Sequence, residues 1–140
     1  MIARWFWLWL ARRVSRPRVF ARLVRYAEPN KLAVLRATSD RLRVARYLLW
    51  QCPRWLPFPS FEVHYFGTAD QPSPQMYTRG ALAILMAGVY VEAKSPGGKE
   101  VRLVQPGSVV GYPAPKGESW RMTAIGPRGA WVLVAIPRKK

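Results

Sequence analysis

Residues 100–112, EVRLVQPGSVVGY, form two short β-prone runs on either side of the turn Gln105-Pro106-Gly107. Valine, leucine and tyrosine favour strands, and a Pro-Gly pair marks a tight turn. Similar runs divided by glycine and proline fill the chain from Phe61 onward, at 61–66, 81–91, 100–104, 108–112, 120–125 and 131–136, with further turns at 95–98 and 126–129. This spacing predicts a small antiparallel β-barrel or sandwich.

The pattern before residue 54 is helical instead. Residues 2–14 contain neither glycine nor proline, and Pro17 suits the first turn of a second helix that reaches about Tyr26. Between Lys31 and Trp50 apolar residues recur near helical spacing, which predicts a third, amphipathic helix. The predicted fold class is therefore α+β, with an Arg/Trp-rich helical arm at 1–54, a proline cluster at 53–59, and a small antiparallel β-barrel or jelly roll at 55–140.

Charge is concentrated in the arm. Residues 1–54 hold 13 basic residues and two acids (+11), whereas residues 55–140 hold 10 and five (+5), which together give the net charge of +16. So basic a chain points to acidic or polyanionic surroundings. The single cysteine, Cys52, excludes an internal disulfide and a cysteine-rich zinc site.

The aromatic run near the N-terminus is too short to cross a membrane, because only seven residues separate Arg4 from Arg12 and a bilayer needs about 20. A secretory signal is not expected either, because arginines follow the apolar run. Three interpretations stay open for residues 1–16: packing against protein, contact with a membrane surface, or contact with nucleic acid. The residues expected to bind a partner are Trp5, Phe6, Trp7, Trp9, Leu10, Arg12 and Arg13.

Four segments of the second part are informative together: residues 88–92 (GVYVE), 104–110 (VQPGSVV), 120–121 (WR) and 133–138 (LVAIPR). In order and approximate spacing, these segments resemble the cupin-like proteins of tailed bacteriophages. The resemblance covers about residues 60–138 and implies a barrel of cupin type.

The resemblance also implies where a metal would bind, and this chain lacks the ligands. The family's His-x-His pair falls near Pro74 and Met76, its later histidine falls on Trp120, and the only histidine, His64, lies on an earlier strand. Without that donor set the barrel cannot activate water or dioxygen through a metal. We therefore expect a degenerate cupin with no metal, no cofactor and no enzymatic activity.

The presumed barrel mouth keeps aromatic rings, guanidinium groups and one carboxylate. Such a set can bind an anionic ring-bearing ligand such as a nucleotide, and alternatively Trp120 and Tyr90 fill the space of the lost metal while Arg121 pairs with Glu92. The candidate ligand-binding residues are Tyr77, Arg79, Tyr90, Glu92, Trp120 and Arg121.

Three functions follow, in order of preference. The first is a structural or interaction protein whose basic aromatic arm docks into a larger assembly such as a phage virion, with a protein partner or a second copy of the chain. The second is a pocket that sequesters an anionic small molecule. The third is nonspecific nucleic-acid binding through the 17 arginines, since no DNA-reading motif is present. The expected location is the host cytoplasm or the virion.

Overall fold

The computed structural model describes residues 4–36, 42–56, 58–67, 81–95, 100–112 and 119–136. It describes the backbone alone at residues 32–36, 42–44, 81, 94–95, 111–112 and 119–123. Two helices are followed by a short 3-10 turn at Glu28–Asn30 and seven strands. Their bounds are α1 Arg4–Val14, α2 Pro17–Ala27, β1 Lys31–Arg36, β2 Leu42–Trp50, β3 Ser60–Phe66, β4 Ala81–Ser95, β5 Val101–Val104, β6 Val109–Tyr112 and β7 Ser119–Ile136.

Both predicted N-terminal helices are confirmed. α1 ends at Val14 before the Ser15-Arg16 break, and Pro17 occupies the first turn of α2. Proline fits there because the first helical N–H groups have no intrahelical partner. No helix in the part of the chain that the structure describes is long and apolar enough to cross a membrane.

The prediction of a third helix between Lys31 and Trp50 is wrong. Residues 31–36 and 42–50 form the antiparallel pair β1 and β2, and β2 continues the sheet onto β3. The side chains of β2 follow the period of a strand, since Ala45 and Tyr47 are buried on one face while Arg46 contacts Glu62 on the other. Pairing with β3 overrides the helical spacing of the leucines. The helical part of the arm therefore ends at Asn30, and the sheet extends across the predicted boundary at residue 54.

The seven strands form one antiparallel sheet with the order β1-β2-β3-β7-β4-β5, and β6 also pairs with β4. The predicted turn at Gln105-Pro106-Gly107 is confirmed, with Gly107 at a φ of +90°. The predicted turn at 126–129 is wrong, because β7 runs through it as a bulge opposite Val89. A bulge accommodates extra residues without ending the strand. It requires glycine on β4, because a Cβ on Gly88, whose φ is +90°, would overlap the carbonyl oxygen of Gly129.

Apolar side chains are buried on both faces of the sheet. On the outer face, α1 and α2 pack with residues that include Val63, Ile84 and Leu133. On the inner face, Phe66, Leu85, Tyr90, Val104 and neighbouring residues form a second apolar cluster. Alternate residues of the long strands belong to the two clusters, as the period of a strand requires. Much of the inner face is therefore buried, which favours pairing of the few polar groups on it.

Candidate functional site

The first candidate site is a polar cluster on the inner face, where β2 and β3 pair. Arg46 lies opposite His64 in the ladder, and Glu62 is two residues before His64 on the same face of β3. The imidazole Nε2 lies 2.9 Å from Glu62 Oε1. Arg46 donates to that same oxygen from Nε at 3.1 Å and from Nη2 at 2.9 Å. Three nitrogens thus converge on one carboxylate oxygen.

The protonation of this cluster follows from burial and charge. Burial by itself would raise the pKa of Glu62, but the hydrogen bonds from His64 and Arg46 outweigh it and leave that pKa below its ordinary value. Burial lowers the pKa of His64, whose residue is fully inaccessible, against the opposing effect of the Glu62 carboxylate. At neutral pH we therefore assign an ionised Glu62 and a neutral His64 that donates from Nε2. Sequence reasoning missed this cluster, although the i, i+2 spacing of Glu62 and His64 indicated a shared face.

The second polar pair on the inner face joins β4 to β5. Glu92 lies opposite Arg102 in the ladder, and Arg102 Nε donates to Glu92 Oε1 at 2.9 Å. The Glu92 side chain is fully buried, and the Arg102 side chain is 26% exposed. Glu92 therefore has an arginine partner that the sequence analysis did not foresee.

The predicted ligand-binding residues are described only in part. Tyr90 is buried in the inner apolar cluster, one strand step from Glu92. Tyr77 and Arg79 lie outside the described residues, and of Trp120 and Arg121 the structure describes the backbone within β7. The ligand set therefore stays a prediction.

The described residues do not fit a metal centre. Among them no three histidine, cysteine, aspartate or glutamate side chains cluster closely enough to hold an ion. The two buried carboxylates each accept a hydrogen bond from an arginine, and Glu62 also accepts one from His64. These potential metal ligands therefore already have partners. Pro74 and Met76 lie outside the described residues, and the expected absence of metal stays a prediction.

The second candidate site is the outward surface of the two helices. The predicted partner-binding residues of α1 divide between its two sides. Trp7 is buried against Phe61, and Phe6 and Leu10 pack against the same outer-face cluster. Trp5 and Trp9 are 71% and 49% exposed, and Arg12 and Arg13 are exposed beside them.

Leu8, which the sequence analysis did not single out, joins Trp5 and Trp9 on the outward side with 43% exposure. At 100° per residue, positions 5, 8, 9 and 12 share one side of a helix while positions 7, 11 and 14 share the other. The guanidinium carbon of Arg13 lies 5.6 Å from the Trp9 ring centroid, a cation–π contact. The helix thus anchors itself with one set of apolar residues and presents another.

The outward side of α2 is basic. Arg18, Arg22 and Arg25 are exposed at positions i, i+4 and i+7, while Val19, Phe20 and Leu23 pack against the sheet. Because α1 and α2 contact each other and pack against the same face of the sheet, their exposed sides both lie on the solvent side of that face. We call these outward sides together the docking face, which comprises Arg4, Trp5, Leu8, Trp9, Arg12, Arg13, Arg18, Arg22 and Arg25.

Solved structures of cupin-fold proteins match this chain. The structure described as FeII HppE matches with a TM-score of 0.52 and 12% identity over 76% of this chain and 56% of that chain. KdgF from Halomonas sp. matches with a TM-score of 0.49 and 13% identity, over 77% of this chain and 90% of that chain. A cupin-2 domain from Rhodospirillum rubrum matches with a TM-score of 0.49 and 18% identity, over 80% of this chain and 74% of that chain. No protein-family model and no curated protein matches the sequence.

The chain therefore has a cupin-like fold, with a short helical N-terminus and an antiparallel sheet, and it spans little more than half the length of the HppE chain. The prediction that it is not an enzyme is corrected by the same comparison. Its structural neighbour HppE is an enzyme. At these identities the likeness shows the fold, and the activities remain those of the neighbours.

Proposed function

We propose that this protein is an interaction protein that docks a cupin-like sheet onto a larger assembly through its docking face. The observation that carries this proposal is the outward apolar surface of α1. Trp5, Leu8 and Trp9 stay exposed on a helix whose other side is already packed against the sheet. Much of the surface of these side chains is in contact with solvent, which makes them available to a partner.

The size of the exposed surface fits a docking role. A tryptophan buries up to about 250 Å² when it is fully covered, so the two tryptophans and the leucine expose a few hundred Å² in one place. At about 25 cal/mol per Å², covering them contributes several kcal/mol before the entropic cost of association is subtracted. Tryptophan and arginine are also the residue types that dominate binding energy at protein interfaces.

The resemblance to cupin-like proteins of tailed bacteriophages supports the finer part of the proposal. We propose a phage particle as the assembly, with the sheet closed into a barrel that has lost the family's metal ligands. Docking through the helices leaves the inner face of the sheet untouched, so the proposal is compatible with a separate ligand or activity there.

Fractionation of a native extract tests the docking. The variant Trp5→Gln/Leu8→Gln/Trp9→Gln removes the outward apolar surface and keeps residues that favour helix. The matched control is Val101→Thr/Leu103→Thr, which removes two exposed apolar side chains from β5 on another part of the molecule. We expect the wild type and the control to sediment with large particles and the triple variant to sediment as free protein. A triple variant that stays with the particles would contradict the proposal.

The inner face supports a second candidate function, the binding of an anionic small molecule. The observation that favours it is Arg46, which lies at the end of a buried Glu62–His64 pair and keeps 36% of its side chain exposed. A guanidinium in such a place can bind a carboxylate or phosphate.

Calorimetry of wild type, Arg46→Lys and the matched control Arg54→Lys with a panel of nucleotides and organic acids tests this second function. Arg54 is an exposed arginine in the loop after β2. A ligand that binds wild type and the control but is at least about tenfold weaker on Arg46→Lys supports the site, because an ammonium lacks the planar fork of a guanidinium. An empty panel, or equal binding to all three proteins, argues against it.

A further inference from the structure

We infer that the docking face recognises the surface of an anionic phospholipid bilayer. This inference goes beyond the docking proposal, because it assigns to the same face a second partner, a lipid surface that the face contacts when it is not docked on a particle. It depends on three features of residues 4–30: their charge, the arrangement of that charge around exposed apolar side chains, and the contacts that the exposed rings already make.

The charged residues of the two helices are all basic. Residues 4–30 contain seven arginines, all exposed, and a single acid, Glu28, which lies after the end of α2. Neither helix has an acidic residue in its first turn. A surface of this kind is repelled by basic partners and attracted by a dense anionic surface, and each arginine near anionic lipid headgroups adds to that attraction.

The arrangement fits a flat interface. Trp5, Leu8 and Trp9 lie on the outward side of α1, and Arg18, Arg22 and Arg25 lie along the outward side of α2. On an ideal helix these three arginines are spaced over about 10 Å. Tryptophan and leucine insert at the boundary of headgroups and acyl chains, and arginines next to them remain among the phosphates. Two helices side by side on one face of a sheet can meet a planar surface together.

Leu8 and the contacts of Trp9 favour lipid over nucleic acid, whereas Trp5, which is 71% exposed, could contact either. Base stacking needs an open ring face, but Trp9 already contacts the guanidinium of Arg13 and lies 6.1 Å from the Phe6 ring at an interplanar angle of 32°. Leu8 has no ring to stack on a base, and its apolar side chain does not bind phosphate. Insertion into a bilayer uses the apolar area of all three outward side chains whatever their ring orientation.

Vesicle flotation with the purified full-length protein tests the inference. The probes are vesicles of phosphatidylcholine alone and vesicles with about 30% phosphatidylglycerol, at about 0.15 M salt. We expect at least about tenfold tighter binding to the anionic vesicles, with a blue shift of tryptophan fluorescence as the indoles leave water. The variant Arg18→Gln/Arg22→Gln/Arg25→Gln should lose at least about tenfold in affinity, and the control Arg54→Gln/Arg128→Gln, which changes two exposed arginines outside the helices, should lose much less.

The outcomes separate this inference from the docking proposal. Equal binding to neutral and anionic vesicles, or tighter binding of single-stranded DNA than of anionic vesicles at the same salt, would overturn the lipid inference. Wild-type protein that sediments with large particles but does not bind vesicles would overturn it too, while leaving the docking proposal intact. If the protein neither sediments with particles nor binds vesicles, both proposals fail.

Discussion

Replacing Arg102 with methionine should destabilise the protein by about 3 kcal/mol, because it removes the arginine partner of a carboxylate that is fully buried. Breaking a buried ion pair from one side typically costs about 3–5 kcal/mol, and we take the lower end because the Arg102 side chain is 26% exposed and partly solvated. In a domain of this size about 3 kcal/mol corresponds to a fall in Tm of roughly 10 °C.

The assay is urea and thermal unfolding of four proteins: wild type, Arg102→Met, the double variant Arg102→Met/Glu92→Leu, and the control Arg128→Met. The double variant should recover most of the lost stability, because apolar side chains replace a buried pair at little net cost. Arg128 is exposed, so its replacement should change the free energy of unfolding by less than about 0.5 kcal/mol. If Arg102→Met is no less stable than Arg128→Met, then the pair does not stabilise the sheet and our account of Glu92 as a structural group is refuted.

Three further predictions concern the inner face and the bulge in β7. Stability should fall as the pH is lowered below about 6.5, because burial lowers the pKa of His64, the only histidine, and the unfolded state therefore takes up the proton first. In His64→Gln the midpoint of urea unfolding should change less between about pH 7 and 5 than in wild type. Below about pH 4.5 a second loss of stability is expected from Glu62, because its hydrogen bonds lower its pKa in spite of burial. Urea midpoints measured at about pH 3–4 should show a smaller loss of stability in Glu62→Gln. Gly88→Ala should lower the free energy of unfolding by several kcal/mol, because it places a Cβ at positive φ against Gly129, and a variant with a wild-type melting temperature would contradict the bulge that we describe.

Local pattern was sufficient for the elements whose signals lie within a few residues. Proline at position 17 begins α2, and the Pro106-Gly107 turn separates β5 from β6, because both residues restrict the backbone by themselves. The α+β class and the cupin-like fold also followed from the sequence. Local pattern was misleading at residues 31–50, where leucines at helical spacing belong to strands. Neighbouring strands decided that segment, and no local signal reveals them.

The two sites differ in how far the sequence could predict them. Exposure on α1 could be predicted only in part: the aromatic residues were evident, but which of them face outward depends on how the helix packs, and this buries Trp7 and exposes Leu8. On the inner face, the residues opposite Glu92 and Glu62 depend on strand register. A shift of one residue in either ladder would move these partners to the other face of the sheet.

The sequence by itself determined the charge of the helices, the start of α2, the strand-rich second part and the absence of an internal disulfide, because each of these depends on composition or on neighbours along the chain. Only the tertiary structure decided that Arg46, Glu62 and His64 meet, that Arg102 is a partner of Glu92, and that one side of α1 remains exposed. These are contacts between segments distant in sequence, and their geometry is set by register and packing across the whole sheet.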